Sequence, residues 1–206
     1  MAVGSLQREA AGPGRTLLIG CGALAREVLA LTRLNGWWHM DLRCLPAQLH
    51  NTPERIPEAV REAIREGRDG FDRVLVLYGD CGTGGRLDRV LAEEGAERVD
   101  GPHCYSFFSG NEAFAALTET EFTAFYLTDF LVRQFDAMVI RPLGLDRHPE
   151  LRDAYFAHYD RLVYLAQTED PGLEAEARRA ADRLGLAYEY RFTGYGDLAT
   201  MLERAA

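Results

Sequence analysis

Residues 16–27 read TLLIGCGALARE. The stretch starts as an apolar run of strand length, breaks at Gly20-Cys21-Gly22 and continues with apolar residues at helical spacing to Gly36, so it reads as a strand, a tight turn and a helix. The same order recurs downstream. WWHMDLRCL suits a second strand, TPERIPEAVREAIREG a helix with proline near its start and Gly67 at its end, and DRVLVLYGD a third, strongly apolar strand. A helix GRLDRVLAEEG, a short strand ERVDG and a helical HCYSFFSGNEAFAALT follow. Residues 119–142 carry aromatic and β-branched residues on a pattern that also fits two helices, and their assignment stays open.

The C-terminal part resumes the alternation. LDRHPELRDAYFAHYD is expected as a helix capped by Asp146, then RLVYLAQ as a buried strand, PGLEAEARRAADRLG as an amphipathic helix, LAYEYRF as a strand and GDLATMLERAA as a terminal helix. Alternating strands and helices imply right-handed crossovers. The expected fold is α/β: a mostly parallel, Rossmann-like sheet covered by helices on both faces. Residues 1–15 are expected to be a flexible lead-in, and 16–206 a single α/β domain with room for two lobes.

Composition narrows the function classes. The net charge is −9, from 32 acidic residues against 23 basic ones. No basic stripe is available to neutralise phosphates, which argues against a nucleic-acid partner. No stretch approaches the roughly 20 apolar residues of a membrane span, and the first residues lack the apolar core of a signal peptide. A cytoplasmic location is expected, where four cysteines would not form a disulfide framework.

The cysteines instead follow a pattern. LLIGCG at 17–22 and VLYGDCG at 76–82 each run apolar strand, glycine, cysteine, glycine, helix, and RVDGPHC at 98–104 runs strand, glycine, then cysteine at a helix start. Cys21, Cys81 and Cys104 thus occupy three β-to-α turns. In an open parallel sheet such turns share the carboxyl edge, where ligands bind. A helix N-terminus also favours the thiolate, the nucleophilic and metal-binding form. Three convergent cysteines can hold zinc with His103 or water as fourth ligand, or an iron–sulfur cluster with one iron open to substrate. The competing reading is that cysteine is a small residue that packs well at tight turns.

Other candidates surround this set. Gly22 and the turn residues Gly82, Thr83 and Gly84 could cradle a ligand with backbone N–H groups, although no P-loop Lys-Ser/Thr follows. Asp80 and His148 are the candidate acid or base. Cys44 reads as a buried residue of the second strand, with a fourth ligand of the cysteine site as the alternative, and His50-Asn51-Thr52 as a helix cap close enough to the same edge to line a pocket. Glu27 and Glu112 read as orienting carboxylates or as solvated helix faces. Tyr105, Phe107, Phe108, Phe122, Phe125 and Tyr126 read as core, with a flat organic ligand as the other option.

Gly20, Gly22, Ala25 and Asp41 also match a dinucleotide fingerprint on paper. Arg43, Cys44 and Pro46 crowd the stretch after Asp41, and a bound NAD or FAD is not expected. A nucleotide-dependent oxidoreductase remains an alternative.

The motifs IGCGALAREV, LHNTPERI, LYGDCGTGG, GPHCYSFFSG, TDFLVRQFD, LGLDRHPEL, YLAQTEDP and TGYG together resemble the bacterial and archaeal family named domain of unknown function 1638. Members of that family tend to be encoded near corrinoid-dependent methyltransferases. The resemblance implies a setting in one-carbon or methylamine-type metabolism, either as an enzyme or as a non-catalytic accessory of a corrinoid methyltransferase system. A corrinoid-binding Asp-x-His-x-x-Gly signature is not complete here: LDRHPELRD lacks the glycine. The combined expectation is a metalloprotein, and an enzyme, with a three-cysteine site completed by a small anionic or amine substrate.

Overall fold

A computed structural model describes residues 14–120 and 123–206. Most of the proposed lead-in lies outside these residues, as does Phe122. The strands form two parallel sheets, not the single sheet expected. The first contains β1 (Thr16–Cys21), β2 (Met40–Leu45), β3 (Arg73–Leu77) and β4 (Glu97–Arg98), in the order β2-β1-β3-β4. The second contains β5 (Ala124–Thr128), β6 (Arg161–Ala166) and β7 (Ala187–Phe192), in that order.

In the first sheet β1 is hydrogen-bonded on both sides, Gly20 pairing with Cys44 and with Leu77. Its residues alternate between two cores. Leu17, Ile19 and Cys21 face α2 (Ile56–Gly67) and α3 (Arg86–Glu94), while Leu18 faces α1 (Ala25–Leu34). Both faces are therefore apolar, as a helix-covered parallel sheet requires. The chain leaves β1 toward β2, then crosses back so that β3 lies on the other side of β1. This reversal opens a crevice between the carboxyl ends of β1 and β3, the position at which α/β sheets bind ligands.

HCYSFFSGNEAFAALT forms two helices, α4 (Ser106–Ser109) and α5 (Asn111–Thr120), parted at Gly110. The ambiguous stretch 119–142 contains β5, a short α6 (Asp129–Arg133) and one turn of π-helix, Asp136–Ile140. Asp146 caps nothing. His148 precedes a 3-10 turn at Pro149–Leu151, and α7 (Arg152–Phe156) starts only after it. Neither Asn51 nor Thr52 caps α2 through its side chain, because 3-10 turns at Ala47–Asn51 and Pro53–Arg55 lead into the helix.

The second sheet packs Leu127, Leu162, Tyr164 and Ala166 against α8 (Pro171–Leu184) and the π-helical turn. The final helix α9 (Gly196–Ala205) follows β7 of this sheet but packs on the first one, where Leu198, Leu202 and Ala205 join Leu18, Leu75 and Phe107. The Asp197 carboxylate accepts a hydrogen bond from the Asn111 N–H at 3.0 Å. A Cβ at Gly196 would collide with the backbone of Phe107 and Phe108, so glycine is what allows α9 to approach α4. The two sheets are thus tied by the end of the chain. No described helix is long and apolar enough to cross a membrane.

Candidate functional site

The crevice between the ends of β1 and β3 continues into a cavity of about 370 Å³ that reaches the carboxyl end of β5, within the size range of small-molecule sites. One end is lined by Cys21, Cys81, Cys104, His50, His103 and Tyr78. The remainder is lined by aromatic and aliphatic side chains from both sheets, among them Tyr105, Phe108, Phe125, Tyr126 and Met138.

Local structure explains how the cysteines get there. Cys21 is the last residue of β1. Cys81 lies in the turn after β3 with φ of 47°, the one non-glycine residue with positive φ among those described. A side chain in the left-handed region costs on the order of 1–3 kcal/mol. Cys104 follows β4 in a loop that packs on the β3 turn: the Asp80 N–H donates to the Gly101 carbonyl and the Cys81 N–H to the Pro102 carbonyl, both at 2.8 Å. Gly79 permits this approach, since a Cβ there would stand 2.8 Å from the His103 nitrogen and 2.9 Å from the Gly101 oxygen.

As a result the Sγ atoms of Cys81 and Cys104 are 3.2 Å apart, and Cys21 lies near enough to Cys104 for their ionisations to be linked. Cys21 and Cys81 are 8% and 7% exposed. The interaction with Cys104 lowers the pKa of Cys21 to about 7 against the opposing effect of burial, with help from the Ala23 backbone and Tyr78. The same neighbour lowers that of Cys81. Cys104 is pushed the other way by its interactions with Cys21 and Cys81 and by burial. The Tyr78 hydroxyl is buried beside Cys21, near enough to favour its thiolate but without the geometry of a hydrogen bond. Burial lowers the pKa of His50 and of His103, so both imidazoles are neutral near pH 7. The Nδ1 of His103 is buried without a partner, and its ring stacks on Tyr105 at 4.9 Å.

No group of three or more His, Cys, Asp or Glu side chains among the described residues is arranged around a common ion position. Two thiolates on one tetrahedral zinc, each about 2.3 Å from it, stand about 3.8 Å apart. The Cys81–Cys104 pair is closer than that, in hydrogen-bonding contact, and would open by about half an ångström around an ion. The donor types, soft thiolates and a neutral imidazole with a free nitrogen, suit zinc or an iron–sulfur cluster.

The other sequence candidates lie elsewhere. The Asp80 carboxylate accepts hydrogen bonds from the N–H groups of Gly82, Gly84 and Gly85 at 3.0–3.2 Å and from the Thr83 hydroxyl at 2.9 Å. These bonds hold its pKa down and consume the donors that Gly82, Thr83 and Gly84 were expected to offer a ligand. Gly22 sits against the Leu45 carbonyl at the end of β2. His148 is exposed and pairs with Glu150 at 3.2 Å. None of these residues lines the cavity. Gly20 is inside β1, and the Asp41 carboxylate takes the Arg15 guanidinium at 2.7 Å. Cys44 is exposed on β2 rather than buried, and Glu112 is exposed on α5.

Two features escaped sequence reasoning. Tyr78 reads as one more apolar strand residue, and only its unpaired hydroxyl in the crevice sets it apart. Asp129, fully buried at the end of β5, accepts from the Tyr164 hydroxyl at 2.7 Å, the Gln167 N–H at 2.9 Å and the Thr168 hydroxyl at 2.5 Å. That network knits the carboxyl ends of β5 and β6. The motif TDF gave no sign of it.

A comparison with curated proteins finds no match. The family model described as Protein of unknown function (DUF1638) matches residues 44–202, a span that includes Cys81, Cys104, His103 and the cavity wall from β5, and the chain belongs to that family.

Proposed function

We propose that the protein is a thiolate metalloprotein, and an enzyme, in which Cys21, Cys81 and Cys104 with His103 bind zinc or an iron–sulfur cluster at one end of a substrate cavity. The observation that carries this reading is the meeting of two buried cysteines, the half-buried Cys104 and an imidazole with a free nitrogen at the switch point of the first sheet. Such a group supplies a Lewis acid, or in the case of zinc an activated water or thiol. The protein supplies the rest. Tyr78 offers a hydrogen bond to the sulfurs or to whatever binds beside them, His103 is held by its stack on Tyr105, and the aromatic wall excludes water. On this reading the chemistry belongs to one-carbon or methylamine-type metabolism, the setting that the resemblance implies.

Metal analysis and a visible spectrum of anaerobically purified protein test the proposal. Bound iron with sulfide, or one zinc, is expected, with loss of the metal in Cys21→Ser, Cys81→Ser and Cys104→Ser. Metal-free wild-type protein of normal stability, in which these variants change nothing, would overturn it. Metal uptake with capture of a corrinoid protein and no turnover of a small molecule would favour the accessory role.

A further inference from the structure

The cavity differs from the rest of the molecule in one respect: among the described residues no Asp, Glu or Arg lines it, in a chain that is 27% charged. Its polar groups beyond the sulfur end are neutral, chiefly Asn51, Thr128 and the Tyr126 phenol. Phe125, Phe130 and Tyr159 bring aromatic surface from the second sheet and its flanking segments.

We infer that the cavity takes a net-uncharged, largely apolar organic molecule rather than the anion or amine that the sequence suggests. A bound anion would lose its hydration and meet no guanidinium along the cavity wall to offset the loss. An organic cation likewise meets no carboxylate along that wall. A neutral molecule pays neither penalty, and gains dispersion and stacking contact along the aromatic wall. The Asn51 amide and the Thr128 hydroxyl line the same cavity and could orient it by one or two hydrogen bonds. This inference rests on reading the cavity as the substrate site; it does not depend on which metal the cysteines bind.

The test is a charge series on one ring size: thioanisole and benzyl alcohol against benzoate and benzylammonium, followed by thermal shift and calorimetry on full-length protein, metal-loaded and chelator-treated. Both neutral compounds are expected to bind and to compete with each other, with each charged compound at least ten-fold weaker. Filling the cavity from opposite walls, by Ala124→Leu and separately by Ala47→Leu, is expected to weaken the neutral compounds at least ten-fold in whichever variant folds. Equal or tighter binding of benzoate or benzylammonium would overturn the inference. So would no binding of the neutral pair, or neutral binding that survives the filling substitutions. Neutral binding to protein that takes up no metal would remove the metal proposal and leave this one standing; metal uptake without neutral binding would do the reverse.

Discussion

Gly79→Ala perturbs the contact on which the thiol cluster depends. The added methyl would stand 2.8 Å from the His103 nitrogen and 2.9 Å from the Gly101 oxygen, where ordinary contact begins near 3.4 Å. Both neighbours are backbone, so no side-chain rotation relieves the clash, and the 101–104 loop has to retreat by about 0.6 Å or more. The two hydrogen bonds from Asp80 and Cys81 to that loop, both now 2.8 Å, are strained or lost. At about 0.5–1.5 kcal/mol net for each bond, the expected destabilisation is about 1–3 kcal/mol. For a chain of this size that corresponds to a fall in Tm of roughly 2–12 °C. Cys104 also moves from Cys81, so the variant is expected to bind metal weakly while keeping all of its thiols. Calorimetric melting with metal stoichiometry reads both effects. A variant that melts within 1 °C of wild type and binds metal equally well would refute the argument that Gly79 holds the two turns together.

Cys21 has its thiol pKa lowered from 9.0 to about 7, and a depressed acid contributes stability that is present above the unfolded value and lost as pH falls through the folded one. Metal-free wild type should therefore gain stability over Cys21→Ser between pH 7 and 9, by at most about 2.7 kcal/mol, in chemical denaturation; a flat difference would contradict it. Glu27 is 4% exposed, has an unpartnered Oε2 and is raised in pKa chiefly by burial, so its ionised form opposes folding at neutral pH. Glu27→Gln is expected to stabilise by about 1–3 kcal/mol at pH 7, with the gain shrinking to nothing as pH falls below 4.5; a destabilised variant at pH 7 would show that the charge has a partner in solution. Oxidised glutathione should join Cys81 to Cys104, the two thiols losing two protons and two electrons as the reagent is reduced to two glutathione thiols. Peptide mapping showing Cys44 linked instead would contradict the 3.2 Å contact. At Cys81, replacement by glycine removes the left-handed strain but loosens the unfolded chain, so Cys81→Gly should change stability by less than about 2 kcal/mol while metal binding is lost. A larger fall would assign the thiol to packing.

The strands and long helices were legible because their signals are local. The apolar runs of β1, β3 and β6 and the periodicity of α2 and α8 each lie within one segment, while the recurrence of glycine and cysteine after strands pointed to Cys21, Cys81 and Cys104, which line one cavity but do not form three equivalent turns, since Cys21 is the last residue of β1. The division into two sheets was not legible, because it depends on which strand β5 pairs with, and nothing in AFYLT distinguishes β6 from the first sheet as its partner. The glycine-rich turn misled for a related reason. Its donors were visible in the sequence, but whether they face outward or toward Asp80 is decided by how the turn closes on itself. Tyr78 and Gly79 escaped notice because their roles lie in a contact with residues 101–104, more than twenty positions away.

The unfavourable features of this fold bear on whether its cavity is functional. The Asp129 network and the closed turn around Asp80 each give a carboxylate several hydrogen bonds. At the sulfur end of the cavity the opposite holds. Cys81 adopts a conformation suited to glycine in a turn already rich in glycine, the Tyr78 hydroxyl and the His103 Nδ1 are buried without partners, and three ionisable sulfurs share one small volume. Packing alone would favour glycine at 81 and phenylalanine at 78, changes that remove the strain and the orphaned hydroxyl without altering the core's shape. Buried polar atoms without a partner occur elsewhere too, at Glu27, His39, Ser109 and Tyr188 among the described residues; what marks this place is that two of them meet a left-handed cysteine and three ionisable sulfurs at one end of a cavity, as a site shaped for a ligand would have them. A bound metal that drew the sulfurs apart and accepted the imidazole nitrogen, with Tyr78 donating to a sulfur, would satisfy these groups together.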